Sequence, residues 1–286
     1  MRKTHYRRAA AAAALAASLA GPVQAAPDLY GTTYPGAKPL YLMNQSTGAA
    51  VAGPGTGIGG IADLASSGNT TSVWGVSQSS NTLYRFDVAT GSVLDTVAIT
   101  GTVAATGAPE GIVSLAWDNR DSVLYGSTAG TFGGLNNLYR INPDTGAATL
   151  IGNLQVDAMY ALAYNPADKY LYGANGEVGQ GSYLWKINPG TGAATAVGTL
   201  DATGNFDLAF RPGDNVLFMA SSGSFSLYTV DPLTATATVV GAYGDALNVA
   251  GLAFAVPEPQ TWALMAGGLL FMARRMASAR SARRDD

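Results

Sequence analysis

Leu138-Tyr139-Arg140-Ile141-Asn142-Pro143-Asp144-Thr145-Gly146 holds the key to the architecture, because the pattern of its first five residues returns four more times along the chain. The other copies are Leu40-Tyr-Leu-Met-Asn44, Leu83-Tyr-Arg-Phe-Asp87, Leu184-Trp-Lys-Ile-Asn188 and Leu227-Tyr-Thr-Val-Asp231, and successive copies start 43, 55, 46 and 43 residues apart. Self-similarity at this period marks a repeat architecture, in which a single unit cannot bury its own apolar face. Each copy reads as a strand. Four of them run into a Thr-Gly turn, at Gly48, Gly91, Gly146 and Gly192. Glycine there supplies the φ > 0 position of a type I turn with a bulge, which folds the next strand back antiparallel.

Working outward, a second apolar motif precedes the first in most units. It appears as Ile61-Ala-Asp-Leu-Ala65, Val113-Ser-Leu-Ala-Trp117, Tyr160-Ala-Leu-Ala-Tyr164, Phe206-Asp-Leu-Ala-Phe210 and Val249-Ala-Gly-Leu-Ala-Phe254. The third unit reads as four strands: Ile112 to Trp117, Val123 to Ser127, Leu138 to Asn142 and Ala148 to Asn153. Asp118-Asn-Arg-Asp121, and the matching Asn165-Pro-Ala-Asp168 and Arg211-Pro-Gly-Asp214, have the composition of tight turns between the first two strands of a unit. Four-stranded units about every 45 residues predict an all-β fold, a five-bladed β-propeller. The first unit lacks a Leu-Ala strand at its start, and an orphan copy, Leu252-Ala-Phe254, stands at the far end of the body. Letting that C-terminal strand complete the N-terminal blade closes the ring. A β-helix or an open sandwich is the alternative for the same strands. The motifs over about 28–255 are similar to those of extracytoplasmic propellers with YVTN-type or NHL-type repeats.

Both ends of the chain differ from this body. Arg2, Lys3, Arg7 and Arg8 precede the apolar stretch Ala9 to Leu19, and Val23-Gln24-Ala25 offers a small-residue cleavage site, so residues 1–26 read as a secretory signal peptide. Residues 256–286 hold Pro257-Glu258-Pro259, the apolar run Trp262 to Ala273, and then Arg274, Arg275 and further arginines. The prolines hold their surroundings extended. The twelve-residue run would rise only ~18 Å as a helix against a hydrocarbon core of ~30 Å, a marginal span that suits a temporary anchor. Arginine beyond the run predicts a cytoplasmic C-terminus. In this order the three parts resemble the PEP-CTERM sorting signal of exopolysaccharide-forming Gram-negative bacteria. That resemblance implies recognition of Pro257-Glu258-Pro259 by an exosortase, removal of the tail, and delivery of the body to the cell surface or extracellular matrix.

Composition then excludes much chemistry. Residues 27–255 hold seven Lys or Arg against sixteen Asp or Glu, a formal −9 where the whole chain carries −3. A body so acidic is repelled by nucleic acid and by anionic lipid, which leaves the C-terminal segment as the one membrane contact. The single histidine is His5 and there is no cysteine. Triads with histidine, cysteine nucleophiles, zinc and haem sites and disulfides are therefore not available to residues 27–255. No organic cofactor is expected. Carboxylate acid/base work, calcium binding through oxygen, or plain recognition remain.

Four carboxylates are the candidates for a ligand site. If the Leu-Ala strand is innermost, Asp63 and Asp207 occupy matching positions within it, while Glu110 and Asp157 stand on loops that enter it at the mouth of the channel. Gathered near one axis, they would raise one another's pKa values or invite a calcium ion. Pro109-Glu110-Gly111-Ile112 resembles the corresponding loop of NHL-like and gluconolactonase-like propellers, where the glutamate can be a metal ligand. Glu177, the second glutamate of the body, lies on a long connection away from the axis. Gly55-Thr-Gly57-Ile-Gly-Gly60 matches the dinucleotide-binding pattern, yet it precedes a strand rather than a helix and reads as a loop. Tyr41, Tyr84, Tyr139, Trp185 and Tyr228 recur at one place in each unit, as residues packing between blades do. The expectation is an exported propeller that binds or scaffolds, with extracellular polysaccharide as the partner and no catalytic residues. The alternative is a carboxylate- or calcium-dependent glycoside hydrolase or lactonase at the channel mouth.

Overall fold

A computed structural model of the chain describes residues 27–255 apart from 36, 70, 104–109, 129–135, 177–181, 203, 205 and 246. The segments read as a signal peptide (1–26) and a sorting tail (256–286), and Glu177, lie outside the described residues. Within them are twenty strands and no helix. Blade 1 holds β1 (Leu29–Thr33), β2 (Ala37–Met43) and β3 (Ala50–Gly59). Blade 2 is β4 (Ile61–Ser66), β5 (Ser72–Ser77), β6 (Thr82–Asp87) and β7 (Val93–Ala98). Blade 3 is β8 (Ile112–Asp118), β9 (Val123–Thr128), β10 (Asn137–Ile141) and β11 (Ala148–Asn153). Blade 4 is β12 (Met159–Asn165), β13 (Tyr170–Asn175), β14 (Tyr183–Ile187) and β15 (Ala194–Thr199). Blade 5 is β16 (Phe206–Phe210), β17 (Leu217–Ser221), β18 (Ser226–Val230) and β19 (Ala237–Ala242), and β20 (Val249–Phe254) ends the series. They form five four-stranded antiparallel sheets, four of them plain meanders.

The fifth sheet runs β20-β1-β2-β3, so the last strand supplies the innermost position of the first blade. Leu29 pairs with Phe254, Tyr30 with Ala253 and Gly31 with Leu252. Backbone bonds beyond the strands continue the seam, from Ala255 N to Asp28 O at 3.1 Å and from Tyr34 N to Asn248 O at 3.2 Å. The propeller expected from the repeats, closed by its C-terminal strand, is the fold observed.

Five apolar clusters hold the ring together, and each is shared by two adjacent blades. The recurring aromatic of the Leu-Tyr motif enters the cluster shared with the preceding blade in every case. Tyr41 joins the cluster of blades 5 and 1, Tyr139 that of 2 and 3, and Tyr228 that of 4 and 5, while Tyr84 and Trp185 pack against the remaining two. Burying such a ring removes on the order of 150–250 Å² from water. One aromatic per blade at one position is thus an interblade packing device, as its period suggested.

The outer turns repeat the same logic in backbone. Asn44, Asp87, Asn142, Asn188 and Asp231, the last residue of each motif, accept amide bonds from the turn that follows. These are Asx turns, which favour Asn and Asp for that reason. Each turn then rests on the outer strand of the blade before it. A Cβ on Gly146 would lie 2.0 Å from the Ala98 carbonyl oxygen, and one on Gly48 would lie 2.1 Å from that of Gly241. Both glycines also have φ above +70°. Blade 5 has Ala235 at this place, with φ +62°, against Gly198 of blade 4.

Gly55 to Gly60 is not a loop: β3 runs through Gly59, with Gly55 paired to Pro39 and Gly59 to Ala37. The register shifts on either side of Pro39, which lacks an amide hydrogen for the ladder. The stretch is an irregular outer strand, and irregular pairing leaves little alternation in the sequence to reveal it. A substitution Gly146→Ala is expected to destabilise the protein by at least ~2 kcal/mol, combining a left-handed φ with a backbone clash. Urea denaturation checks this, and a loss below ~0.5 kcal/mol would mean that the turn does not press on the neighbouring blade.

Candidate functional site

The five innermost strands neighbour one another in the circular order β4, β8, β12, β16, β20. Each contributes the residue before its Leu-Ala pair to one central layer: Asp63, Ser114, Ala161, Asp207 and Gly251. An innermost strand has one edge with no sheet partner, so its amides need other acceptors. Two of these residues supply them. Asp63 Oδ1 accepts from Leu64 N at 2.5 Å, and its Oδ2 accepts from Leu115 N of the next blade at 2.6 Å. Asp207 Oδ1 accepts from Leu208 N at 2.7 Å, and its Oδ2 accepts from Leu252 N, again in the next blade. Each carboxyl therefore bridges two blades.

Asp63 and Asp207 are near enough for each carboxyl to act on the other, although β20 stands between β4 and β16 in the circle. Gly251 lets β20 approach the backbone of β4, since a Cβ there would lie 2.8 Å from Leu64 N and 3.0 Å from the Asp63 carbonyl carbon. Both aspartates are 0% exposed. Burial pushes the Asp207 carboxyl up to about 8. Burial first, then the neighbouring Asp207 charge and hydrogen bond, hold Asp63 well above the usual carboxylate range. Both carboxyls are thus held towards the neutral, protonated form, and each acts on the titration of the other.

The other two candidates lie elsewhere. Glu110 is half-buried on the approach to β8, where its amide bonds to Thr102 O at 3.4 Å. Asp157 is exposed on the connection between β11 and β12. Neither lines the small vestibule where the innermost strands begin, which has a volume of about 80 Å³ and is walled by Tyr34, Ala62, Gln78, Val113, Tyr160, Asn248 and Ala250. A second vestibule of about 80 Å³ opens where those strands end. At ~10–15 Å³ per water, each holds only a few waters and neither buries a sugar ring.

What this arrangement can do chemically is limited. Every oxygen of the buried pair accepts a backbone amide, and no solvent reaches it, so it is a structural clasp. It does not fit calcium, which takes about six to eight oxygens. Among the described residues no three Asp, Glu or His gather to hold a metal ion. The layer itself was open to sequence reasoning through the position before each Leu-Ala pair. The residues that reasoning missed are Ser114 and Gly251, whose small size in that layer was the available signal.

With the geometry in place, the comparisons with known proteins bear on the fold. A family model described as a repeat of unknown function (DUF6923) matches residues 155–271, less than half of the chain. No curated protein matches. A chain in the crystal structure of a nidogen/laminin complex is 12% identical, with 80% of this chain and 98% of that chain covered and a TM-score of 0.53. A structural-genomics protein of unknown function from Bacteroides thetaiotaomicron is 15% identical over 74% of this chain and 49% of its own, with a TM-score of 0.45. Kuenenia stuttgartiensis hydrazine synthase is 15% identical over 63% and 48%, with a TM-score of 0.43. At such identities the likeness to the first is one of fold alone. This chain is a β-propeller repeat protein, an architecture consistent with binding or scaffolding.

The buried carboxyls have a measurable consequence. Unfolded carboxyls titrate near 4, while in the folded state Asp207 keeps a proton up to about 8 and Asp63 is held well above its usual range. Between those pH values the folded state binds more protons than the unfolded one, so stability falls as pH rises, by up to ~1.4 kcal/mol per pH unit for each proton retained. Thermal unfolding from pH 5 to 9 is expected to show a declining Tm. Asp63→Asn, which keeps a donor towards Asp207 without titrating, should make the decline shallower, and an unchanged slope would dissociate the pair from it.

Proposed function

We propose that this protein is exported, sorted through its Pro257-Glu258-Pro259 tail by an exosortase, and held at the cell surface or in an extracellular polysaccharide matrix, where it binds or scaffolds. The observation that carries binding over catalysis is the state of the carboxylates. Asp63 and Asp207 are sealed and tied to backbone amides, and the described walls of the channel mouth hold no carboxylate at all. Acid/base catalysis on a sugar needs a carboxyl pair that the substrate can reach. Support for export comes from the residues at the two ends of the chain: a basic stretch, an apolar run and a small-residue site at one, and Pro-Glu-Pro, an apolar run and arginines at the other. A closed ring with −9 of formal charge between them suits a soluble body carried through an envelope.

Two measurements test this reading. Intact mass of the extracellular protein is expected to lack residues 1–26 and the apolar run with its arginines, and finding Trp262 to Asp286 still attached would reject sorting. Replacing the two candidates outside the buried pair together, as Glu110→Gln and Asp157→Asn, is expected to leave retention in the polysaccharide matrix within about twofold of the parent. Loss of a measurable glycosidase or lactonase turnover in that double variant would favour the enzyme instead.

A further inference from the structure

We propose that the outer part of the interface between blades 1 and 2 receives this chain's own C-terminal segment, with the apolar run from Trp262 to Ala273 on Leu42 and Val51 and an arginine beyond it beside Tyr30. The contact belongs to the chain before its tail is removed. It needs only the tail, and so goes beyond the sorting reading without resting on it.

Comparison of the five blades carries the argument. Leu42 and Val51 pair across β2 and β3, and they are 42% and 64% exposed. The same paired positions hold Arg85 and Asp95 in blade 2, Arg140 and Thr149 in blade 3, Lys186 and Thr195 in blade 4, and Thr229 and Thr238 in blade 5. Only blade 1 puts two bare aliphatic side chains there. Inward along the same row, each blade turns an aromatic ring towards the next blade, and in four of them a cation attends it. Arg85 lies 5.6 Å from the Trp74 centroid, Lys186 5.8 Å from that of Tyr172 and Arg211 5.2 Å from that of Phe218, while Arg140 faces Tyr125 across its strand pair.

In blade 1 the ring is Tyr30 and its cross-strand neighbour is Leu42. Among the described residues no cation lies over Tyr30. Burial first, then the charges of Asp28 and Asp87, raise its hydroxyl above the ordinary range. Two acids beside a half-buried ring and two bare aliphatics fit a segment with an apolar stretch followed by arginine. The chain's own tail has that chemistry, and it starts at this row. The row runs Ala253, Tyr30, Leu42 and Val51 from β20 outward, so Val51 lies three strand spacings, about 14 Å, from Ala253. Ala255, the last described residue, is buried in the cluster shared by blades 1 and 2, and its amide bonds to Asp28 O at 3.1 Å. The six residues from Val256 to Thr261 can span up to ~20 Å, which brings Trp262 within reach of the whole row. Beyond Ala255 the chain has five arginines against three acids, a formal +2 that the −9 of the body attracts.

The full chain has no cysteine, so one nitroxide at Ser278→Cys, beyond Arg275, reports where the tail lies. A tethered segment meets its site at an effective concentration of ~1 mM, so a contact of even that affinity is about half formed. In detergent-free buffer the backbone amide signals of Tyr30, Leu42 and Val51 are therefore expected to lose about half their intensity or more, while those of Thr149 and Thr238 keep theirs. Giving blade 1 the residues of blade 3, as Leu42→Arg with Val51→Thr at two exposed positions, should restore most of the lost intensity. The proposal is overturned if the parent chain shows no loss, if Thr149 and Thr238 lose as much, or if the loss persists in the double variant. It is overturned too if the loss appears only between a labelled chain and a separate unlabelled one, which would make a second copy the occupant, or only with nitroxide-labelled phosphatidylcholine vesicles, which would make it lipid. Sorting is judged separately, by the mass of the extracellular protein, so the failure of either leaves the other standing.

Discussion

Pairing of β20 with β1 is the constraint on which the rest of the molecule depends. A sheet of three strands at the start of the body would leave an innermost edge without partners, and a lone strand at the end would have no sheet to join. Setting one against the other satisfies both and makes the blades a circle. Once the circle exists, each apolar cluster has two walls, each outer turn has a preceding blade to rest on, and blade 5 meets blade 1 through Gly48 and Gly241 as other blades meet. The cores lie between blades rather than within them, so the stability of each blade is borrowed from its neighbours.

Closure also explains the buried pair at the centre. Asp207 bonds to the Leu252 amide, and Leu252 belongs to the strand that closes the ring. Asp63 reaches in the same way from β4 to β8, and each carboxyl acts on the titration of the other. Two buried carboxylic groups are an expensive way to fill a channel unless each oxygen finds a donor. Here backbone amides reach all four oxygens. The cost falls on the deprotonated form, which links the compactness of the centre to pH, and it turns two residues of catalytic type into fasteners.

Much of the fold was legible because the repeat is written in residues with separate physical duties. Apolar alternation marked the strands, Asn or Asp marked the turn, glycine marked the bulge, and the orphan Leu252-Ala-Phe254 marked the closure. The irregular β3 was not legible, since its pairing shifts register around Pro39 and its glycines read as a loop. For the site, equivalence of Asp63 and Asp207 could be read from the Leu-Ala motif, but their contact could not. It depends on how far β4 and β16 stand apart across the ring. Glu110 and Asp157 stand on connections whose course no local pattern dictates. Leu42 and Val51 are apolar where the matching positions of other blades are mostly polar, but only ring closure sets them in one row with Ala253, beside the point where the described chain ends.

The most direct test of ring closure uses the absence of cysteine from the chain. Tyr30 and Ala253 face each other across the β1 and β20 pair, and residues so placed have Cα atoms ~4.5–5.5 Å apart, within reach of a disulfide. In the folded double variant Tyr30→Cys/Ala253→Cys, mild oxidation followed by thiol titration and intact mass should find the two thiols joined within one chain, with the thermal midpoint raised. Two free thiols in the folded protein, or a bond formed only between separate chains, would contradict the closed propeller.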